Sequence, residues 1–378
     1  MWALATQGGL MNPLSAMRQV RAQGGKPLVR QLRELLACRL RASPIGVSEY
    51  FAYGLWSPEL GPDELRQFIG WRQSVLLDQT LNDSRSRVLA NDKLVNYLIL
   101  QHLGLPMPQP LATFTAEGRR IGNETVLRSL DDVRRWLDGD VYPFYVKPIS
   151  AGYGRGVTGV AGRDGPSLRL LDDRTLALEE FLKAFEFPPY GGMLFQRPVQ
   201  AHPSIVALTG SKAVCSVRCI CLVTPSGPQV HTAFWKIATG KNMLDNFSHG
   251  DLGNCLGAVD VRSGRIERAI ARLGPGGRVD RHPDTGQPLV GFQLPDWTAA
   301  LDLVHRASAH FPGLRLQNWD VALCPEGPVL IELNTESELA VPQAISGRGL
   351  MDARLRGMLA ELEQAQARRR AAVAAGPR

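Results

Sequence analysis

At 378 residues the chain is too long for one small domain and has room for two or three subdomains with ample core. A hydrophobic share of 44% and a charged share of 21% are those of an ordinary globular protein, and no apolar run reaches the ~18 residues of a membrane span. The net charge of +7 suits an anionic ligand, a membrane surface or nucleic acid, and decides among none of them.

The opening "MWALATQGGLMNPLSAMRQV" lacks a basic start followed by an apolar run, so it is not expected to be a signal peptide. The six cysteines, Cys38, Cys215, Cys219, Cys221, Cys255 and Cys324, form no C-x-x-C pair, so zinc-ribbon spacing is absent. In "CSVRCIC" Cys215, Cys219 and Cys221 share one face of a strand, and buried free thiols in a reducing cytoplasm are expected.

Residues 1–80 read as a helical N-terminal region. In "LVRQLRELLACRLR", Leu28, Leu32, Leu35, Leu36 and Leu40 fall on one face with arginines on the other. A basic amphipathic helix can lie on an anionic membrane, but packing of the leucines on the protein's own core is the expectation. "SPELGPDELRQFIGWRQSVLL" carries two capping signals, Ser57-Pro58 and Pro62-Asp63. Residues 81–140 form the next segment. There "NDKLVNYLILQHLG" reads as a helix capped by Asn91 or Asp92 and stopped at Gly104. A strand, "PLATF", and a helix around 128–138 follow.

In segment 141–200 the runs "YPFYVKPI", "GVTGVA" and "LRLLDD" are short, β-like and broken by Gly and Asp. "RTLALEEFLKAF" reads as helix and "MLFQRPVQ" as strand. Segment 201–350 adds the strands "KAVCSVRCICLVTP", "QVHTAFWKIAT" and "CLGAVDV", the helix "DWTAALDLVHRASAHF" and a closing strand pair. Residues 351–378 form a charged terminal helix and tail. The class is α+β with mostly antiparallel sheets.

That closing pair, "NWDVALCPEGPVLIELN" at 318–334, sets three polar groups among apolar, β-prone residues. With a three-residue turn centred on Glu326, Asp320 lies opposite Glu332, and Asn334 projects from the same face. Opposed like charges destabilise a sheet, so something positive is needed between them. Two carboxylates and an amide suit a hard cation, Mg²⁺ or Mn²⁺, better than zinc. Such a cation usually works with substrate phosphates.

A place for phosphates is offered by "KPISAGYGRGVTGV". Formally "GRGVTG" fits G-x-G-x-x-G, but a β-like run follows it where a dinucleotide site needs a helix. No G-x-x-x-x-G-K-[ST] occurs, and neither H-R-D nor D-F-G is present. What remains is a glycine-rich flap whose backbone N–H groups can close over phosphate oxygens. Lys147 ends the apolar strand before it and Lys93 opens the helix at "NDK"; each can act as a point cation on phosphate.

"NDK…GLPMPQP", "YPFYVKPISAGYGRGV", "LFQRPVQAHP" and "WDVAL…GPVLIELN", in that order, resemble the ATP-grasp superfamily, and most closely its sugar-transfer-associated branch, over roughly residues 90–350. The resemblance implies two α+β subdomains clasping ATP, and activation of a carboxylate as an acyl phosphate for transfer to an amine or other nucleophile. By position, Asp320, Glu332 and Asn334 resemble the metal ligands, and Lys93 and Lys147 the ATP-binding lysines. Gly152, Gly154 and Gly156 lie in the flap. Gln196, Arg197 and Val199 lie in the adenine hinge, where many relatives carry a glutamate. Arg218 and Lys236 follow on the next strands, Arg218 pointing away from the cysteines toward charge on a transferring group. "DNFSHGDLGN" is taken as the acceptor-side loop, with Asn246 and His249 as candidates and His249 as a general base. His249-Gly250 stands where relatives often show a glycine pair.

Other classes compete. A kinase on the same fold would share the ATP half and release ADP with a stable phosphorylated product. A non-catalytic nucleotide-binding scaffold is opposed by the intact Asp320, Glu332 and Asn334. A nucleic-acid module lacks an aromatic and basic stacking platform. The branch implies a polysaccharide or cell-envelope setting, with small-molecule or glycan-linked substrates. Its place would be the cytoplasm, and peripheral contact with the inner face of the membrane is compatible with the charge.

Overall fold

The structure, a computed structural model, describes residues 12–41, 44–115, 118, 122, 124–150, 156–189, 191–247 and 252–374. Helices α1 (Pro13–Ala22), α2 (Leu28–Arg39), α3 (Val47–Ala52), α4 (Pro62–Leu65), α5 (Trp71–Leu81), α6 (Val88–Asn91) and α7 (Lys93–His102) come first. A first sheet uses β1 (Pro110–Phe114), β2 (Thr125–Leu127), β3 (Phe144–Pro148), β4 (Thr158–Asp164), β5 (Ser167–Leu170), β6 (Thr175–Ala177) and β7 (Met193–Gln196), with α8 (Leu130–Leu137) and α9 (Leu178–Lys183) in its connections. After α10 (Pro203–Thr209) a second sheet uses β8 (Val217–Thr224), β9 (Gly227–Ile237), β10 (Cys255–Val259), β11 (Ile266–Ile270), β12 (Arg278–Val279), β13 (Leu316–Cys324) and β14 (Gly327–Asn334). Helix α11 (Trp297–Ser308) precedes β13, and α12 (Ala340–Ser346) and α13 (Ala353–Ala374) end the fold.

The first sheet runs β2-β1-β7-β3-β4-β5-β6 and the second β12-β11-β10-β9-β8-β13-β14. All pairings are antiparallel except β1 with β2, as expected for the α+β class. Phe144, Phe181, Phe185 and Phe195 build an aromatic core against the first sheet with Trp136 of α8. The second sheet is covered on both faces. Cys219, Cys221 and Trp319 pack with Leu303 and Val304 of α11, while Ile220, Leu222 and Phe234 pack with Leu77 and Leu81 of α5 and with Ile345 and Leu355. All six cysteines are buried free thiols.

Two elements differ from expectation. "RTLALEEFLKAF" is not one helix: Thr175–Ala177 pairs with β5 as an edge strand, Leu168 opposite Leu176, and the helix begins only at Leu178. Of the leucines in and just after α2, only Leu35 packs on the core. Leu28, Leu32, Leu36 and Leu40 are exposed, Leu35 is half-buried, and Gln31 and Cys38 face inward. Polar ties set that orientation. Lys26 Nζ donates to Glu34 Oε2 at 3.0 Å and to the Leu55 carbonyl at 2.9 Å, Tyr50 donates to Glu34 at 2.9 Å, and Gln31 Nε2 donates to the Lys26 carbonyl at 2.7 Å. Buried polar groups must find partners, and here the partners lie on the side opposite the leucines. Among the described residues no helix is long and apolar enough to cross a membrane.

Candidate active site

The closing hairpin has a tighter turn than its sequence suggests. Cys324 pairs with Gly327, so Pro325 and Glu326 alone make the turn, and Val321 pairs with Leu330. One extra residue, Ile331, then bulges from β14 and restores Asp320 opposite Glu332. The expected pairing is present, produced by a two-residue turn plus a bulge in place of a three-residue turn. The bulge also turns the Ile331 carbonyl out of the ladder, where it accepts from Tyr97 Oη at 3.0 Å.

The positive charge that the facing carboxylates require comes first from the sheet itself. Arg218 on β8 lies opposite Asp320 in register. Its Nε donates to Oδ1 at 2.8 Å and its Nη2 to Oδ2 at 2.7 Å, while Lys236 of β9 donates to Oδ2 at 3.1 Å. Burial alone would raise the Asp320 carboxyl, but Arg218 and Lys236 outweigh it and hold it below the usual carboxylate range. Burial likewise pulls Lys236 down, and Asp245 and Asp320 together lift it above its ordinary value.

On the first-sheet side, burial lowers Lys147 to about 8, against the pull of Glu332 and Asp320. Its Nζ donates to Tyr97 Oη at 2.9 Å and lies 5.3 Å from the centre of that ring. Tyr97 comes from α7, and its own proton is shared between Gln196 Oε1 at 2.9 Å and the Ile331 carbonyl. Lys93 opens α7. Asp92, not Asn91, is the cap there, accepting from Leu94 N at 3.0 Å and Val95 N at 3.1 Å. Burial lowers Lys93 too, with Glu332 opposing.

Between the two sheets lies one cleft, open to solvent, that is lined by Lys93, Lys147, Lys236, Asp320 and Glu332. Lys93 and Lys147 face Asp320 and Glu332 across it, Lys236 lies beside Asp320 on the same sheet, and Gln196, Val199 and Asn246 also line it. Arg218 and Asn334 adjoin this lining through Asp320 and Glu332; Asn334 Nδ2 donates to Glu332 Oε1 at 3.0 Å. Arg197 is directed elsewhere. Its Nη1 donates to the Tyr142 carbonyl at 3.1 Å and its backbone N–H to the Gln109 carbonyl at 2.9 Å. Gly156 adopts φ +72°, the left-handed region that favours glycine. Gly152, Gly154 and His249 lie outside the described residues.

Asp245 and Tyr97 were not singled out from sequence. Asp245 Oδ2 accepts from Ser216 N at 2.7 Å and Ser216 Oγ at 2.6 Å, and Oδ1 lies 3.4 Å from Lys236. Asp245 is thereby tied to the start of β8. Asn254 donates to the carbonyls of Leu244 at 2.9 Å and Asn246 at 2.8 Å. The adjacent D-N pair in "DNFSHGDLGN" was the available signal for Asp245.

Asp320, Glu332 and Asn334 offer oxygen only. Among the described residues no three His, Cys, Asp or Glu side chains form a metal cage. Mg²⁺ takes one or two carboxylates plus substrate phosphates. Asp320 Oδ1 accepts one hydrogen bond and keeps a second lone pair. With its Nδ2 turned to Glu332, Asn334 has its amide oxygen to offer. The donor set fits the cation.

The residue pattern of the sugar-transfer associated ATP-grasp family matches residues 72–357. A search of curated proteins found no match. Among solved structures, the chain is similar to the biotin carboxylase of Campylobacter jejuni in a β,γ-ATP complex, with 11% identity, TM-score 0.43, and coverage of 73% of this chain and 48% of that one. It is similar to the VanG D-Ala:D-Ser ligase of Enterococcus faecalis, with 16% identity, TM-score 0.39 and coverage of 73% and 63%. It is also similar to the N5-carboxyaminoimidazole synthase of Aspergillus clavatus bound to ADP and an aminoimidazole ribonucleotide, with 10% identity, TM-score 0.37 and coverage of 71% and 51%. The chain spans less than two thirds of the length of each of these.

Proposed function

Because the chain belongs to the sugar-transfer associated ATP-grasp family, we propose that it is an ATP- and Mg²⁺-dependent ligase. It would activate a carboxylate as an acyl phosphate and join it to an amine or another nucleophile, in polysaccharide or cell-envelope metabolism. The observation that carries this reading is the meeting of Lys93, Lys147 and Lys236 with Asp320 and Glu332 in one cleft between the sheets. Buried lysines need anions, and facing carboxylates need a cation; a metal–nucleotide complex supplies both.

In this reading segments 141–200 and 201–350 grip the nucleotide from its two sides. Lys93 and Lys147 neutralise phosphate oxygens, and Gln196, Val199 and the backbone at Arg197 border the adenine. Asp320, Glu332 and Asn334 hold Mg²⁺, or Mn²⁺ in its place. The metal's contribution when bound is to offset phosphate charge. Lys236 and Arg218, fixed by Asp320 and Asp245, set a rigid positive field beside the transferring group, which costs no reorganisation during reaction. Asn246 and His249 belong to the acceptor side, with His249 as base. Positioning and electrostatics do the chemistry, with no protein nucleophile; the buried cysteines, whose thiols burial pushes up, are unsuited to that role.

The test is ATP binding by calorimetry, with and without Mg²⁺, for wild type and Glu332→Gln. Mg²⁺-dependent binding in the micromolar range that Glu332→Gln weakens supports the reading. Substrate screening then follows: free phosphate with a joined product marks a ligase, and ADP with a stable phosphorylated product marks a kinase. A folded protein that binds no ATP leaves only a scaffold.

A further inference from the structure

Helix α2 is amphipathic, and the structure turns its apolar side outward. Leu28, Val29, Leu32, Leu36 and Leu40 are between 40% and 77% exposed, while Gln31 and Cys38 on the opposite side are buried. The outward side is fixed, because Lys26, Gln31 and Glu34 anchor the inward side through the hydrogen bonds described above. Leu14, on the neighbouring α1, is exposed as well. An outward stripe of this size marks a surface that meets something apolar.

Its electrostatics select the partner. Residues 12–41 contain seven Arg or Lys and a single acid, Glu34, so this segment carries six of the chain's seven net positive charges. Glu34 is turned toward Lys26, Arg30 and Tyr50. Arg33 borders the stripe and Arg39 lies at its C-terminal end, both exposed. A second copy presenting the same stripe would bring arginines against arginines, since a two-fold contact apposes the same surface with itself. Apolar groups along the centre with arginines at the margins match a surface whose interior is hydrocarbon and whose rim is anionic.

We propose that α2 is a docking surface for an anionic lipid bilayer, lying in the interface with its leucines among the acyl chains and Arg33 and Arg39 at the headgroups. This inference stands independently of the ligase reading, because it rests on a surface away from the cleft residues.

The experiment is flotation of the full chain with vesicles of phosphatidylglycerol in an excess of phosphatidylcholine, and with vesicles of phosphatidylcholine alone. Wild type is expected to float with the anionic vesicles and to bind them about tenfold more weakly when Leu36→Gln and Leu40→Gln are combined. Combining Arg33→Gln and Arg39→Gln is expected to weaken binding by a similar factor, and high salt to do the same. All four side chains are exposed, and an unchanged far-ultraviolet dichroism spectrum confirms the fold. No flotation of wild type, or flotation that neither pair of substitutions alters, overturns the proposal. A dimer in sedimentation velocity that the leucine substitutions dissociate also overturns it, assigning the stripe to a second copy.

Discussion

Arg218 and Asp320 stand opposite each other on β8 and β13 and share a two-point ion pair, 2.8 Å from Nε to Oδ1 and 2.7 Å from Nη2 to Oδ2. Lys236 completes the group. Removing the shared carboxylate leaves Arg218 without its two-point partner and Lys236 with Asp245 alone among the described residues. Asp320→Ala is therefore expected to destabilise the protein by about 3–5 kcal/mol, read by urea unfolding. A loss below about 1 kcal/mol would contradict the picture of a charge cluster held by Asp320.

Tyr97 joins three parts of the cleft: Lys147, Gln196 and the bulged Ile331 carbonyl. Tyr97→Phe keeps the ring and deletes the oxygen that accepts from Lys147. The expected result is about 1–2 kcal/mol less stability and about three- to tenfold weaker ATP binding, as Lys147 loses its fixed position. Unchanged ATP affinity by calorimetry would show that Tyr97 serves the fold alone.

The sequence made some of this legible and hid the rest for definite reasons. Asp320, Glu332 and Asn334 stand out because charge is rare on a strand pair as apolar as Trp319, Val321, Leu323 and Leu330. Their shared face follows from the period of a strand, although the turn and bulge that produce the pairing do not. Asp92 is legible as a cap because capping is local. The link between Arg218 and Asp320 spans 102 positions, and that between Tyr97 and Gln196 spans 99. No local pattern encodes either. Periodicity found the amphipathic face of α2 but gave it the wrong direction, because period carries no information about where distant polar partners such as Tyr50 and Leu55 lie.

Lys147 gives a pH signature. Burial lowers it to about 8, so without a bound anion it is protonated below that value and increasingly neutral above it. Phosphate favours the protonated form. ATP affinity is then expected to be flat up to about pH 8 and to fall by up to about tenfold per unit beyond it, with a proton taken up on binding. Calorimetry near pH 9 in buffers of different ionisation enthalpy measures that uptake. Zero uptake, or a Kd that stays constant from about pH 7 to about pH 9.5, is the contrary result.

Asp78 gives the opposite kind of test, on stability. It sits on α5, and its Oδ2 accepts from Ser337 N at 2.8 Å, three residues beyond Asn334. Ser74 Oγ on the same helix donates to the Ser337 carbonyl at 2.7 Å, so α5 clamps the segment that leaves the hairpin. Oδ1 is buried with no hydrogen-bond partner among the described residues. Burial pushes the carboxyl up to about 7 from an ordinary 3.8. The folded value lies above the unfolded one, so the stabilising contribution is full below about pH 4 and is lost as pH rises toward 7. Asn cannot titrate, so it removes this slope. From about pH 5 to about pH 8 wild type is expected to lose about 2–3 kcal/mol relative to Asp78→Asn, measured by urea unfolding at each pH. Parallel stability curves for the two proteins would mean that Asp78 stays ionised in the fold, with its charge carried by the Ser337 N–H and by Arg87, whose Nη2 already donates to the Asp78 carbonyl at 2.7 Å.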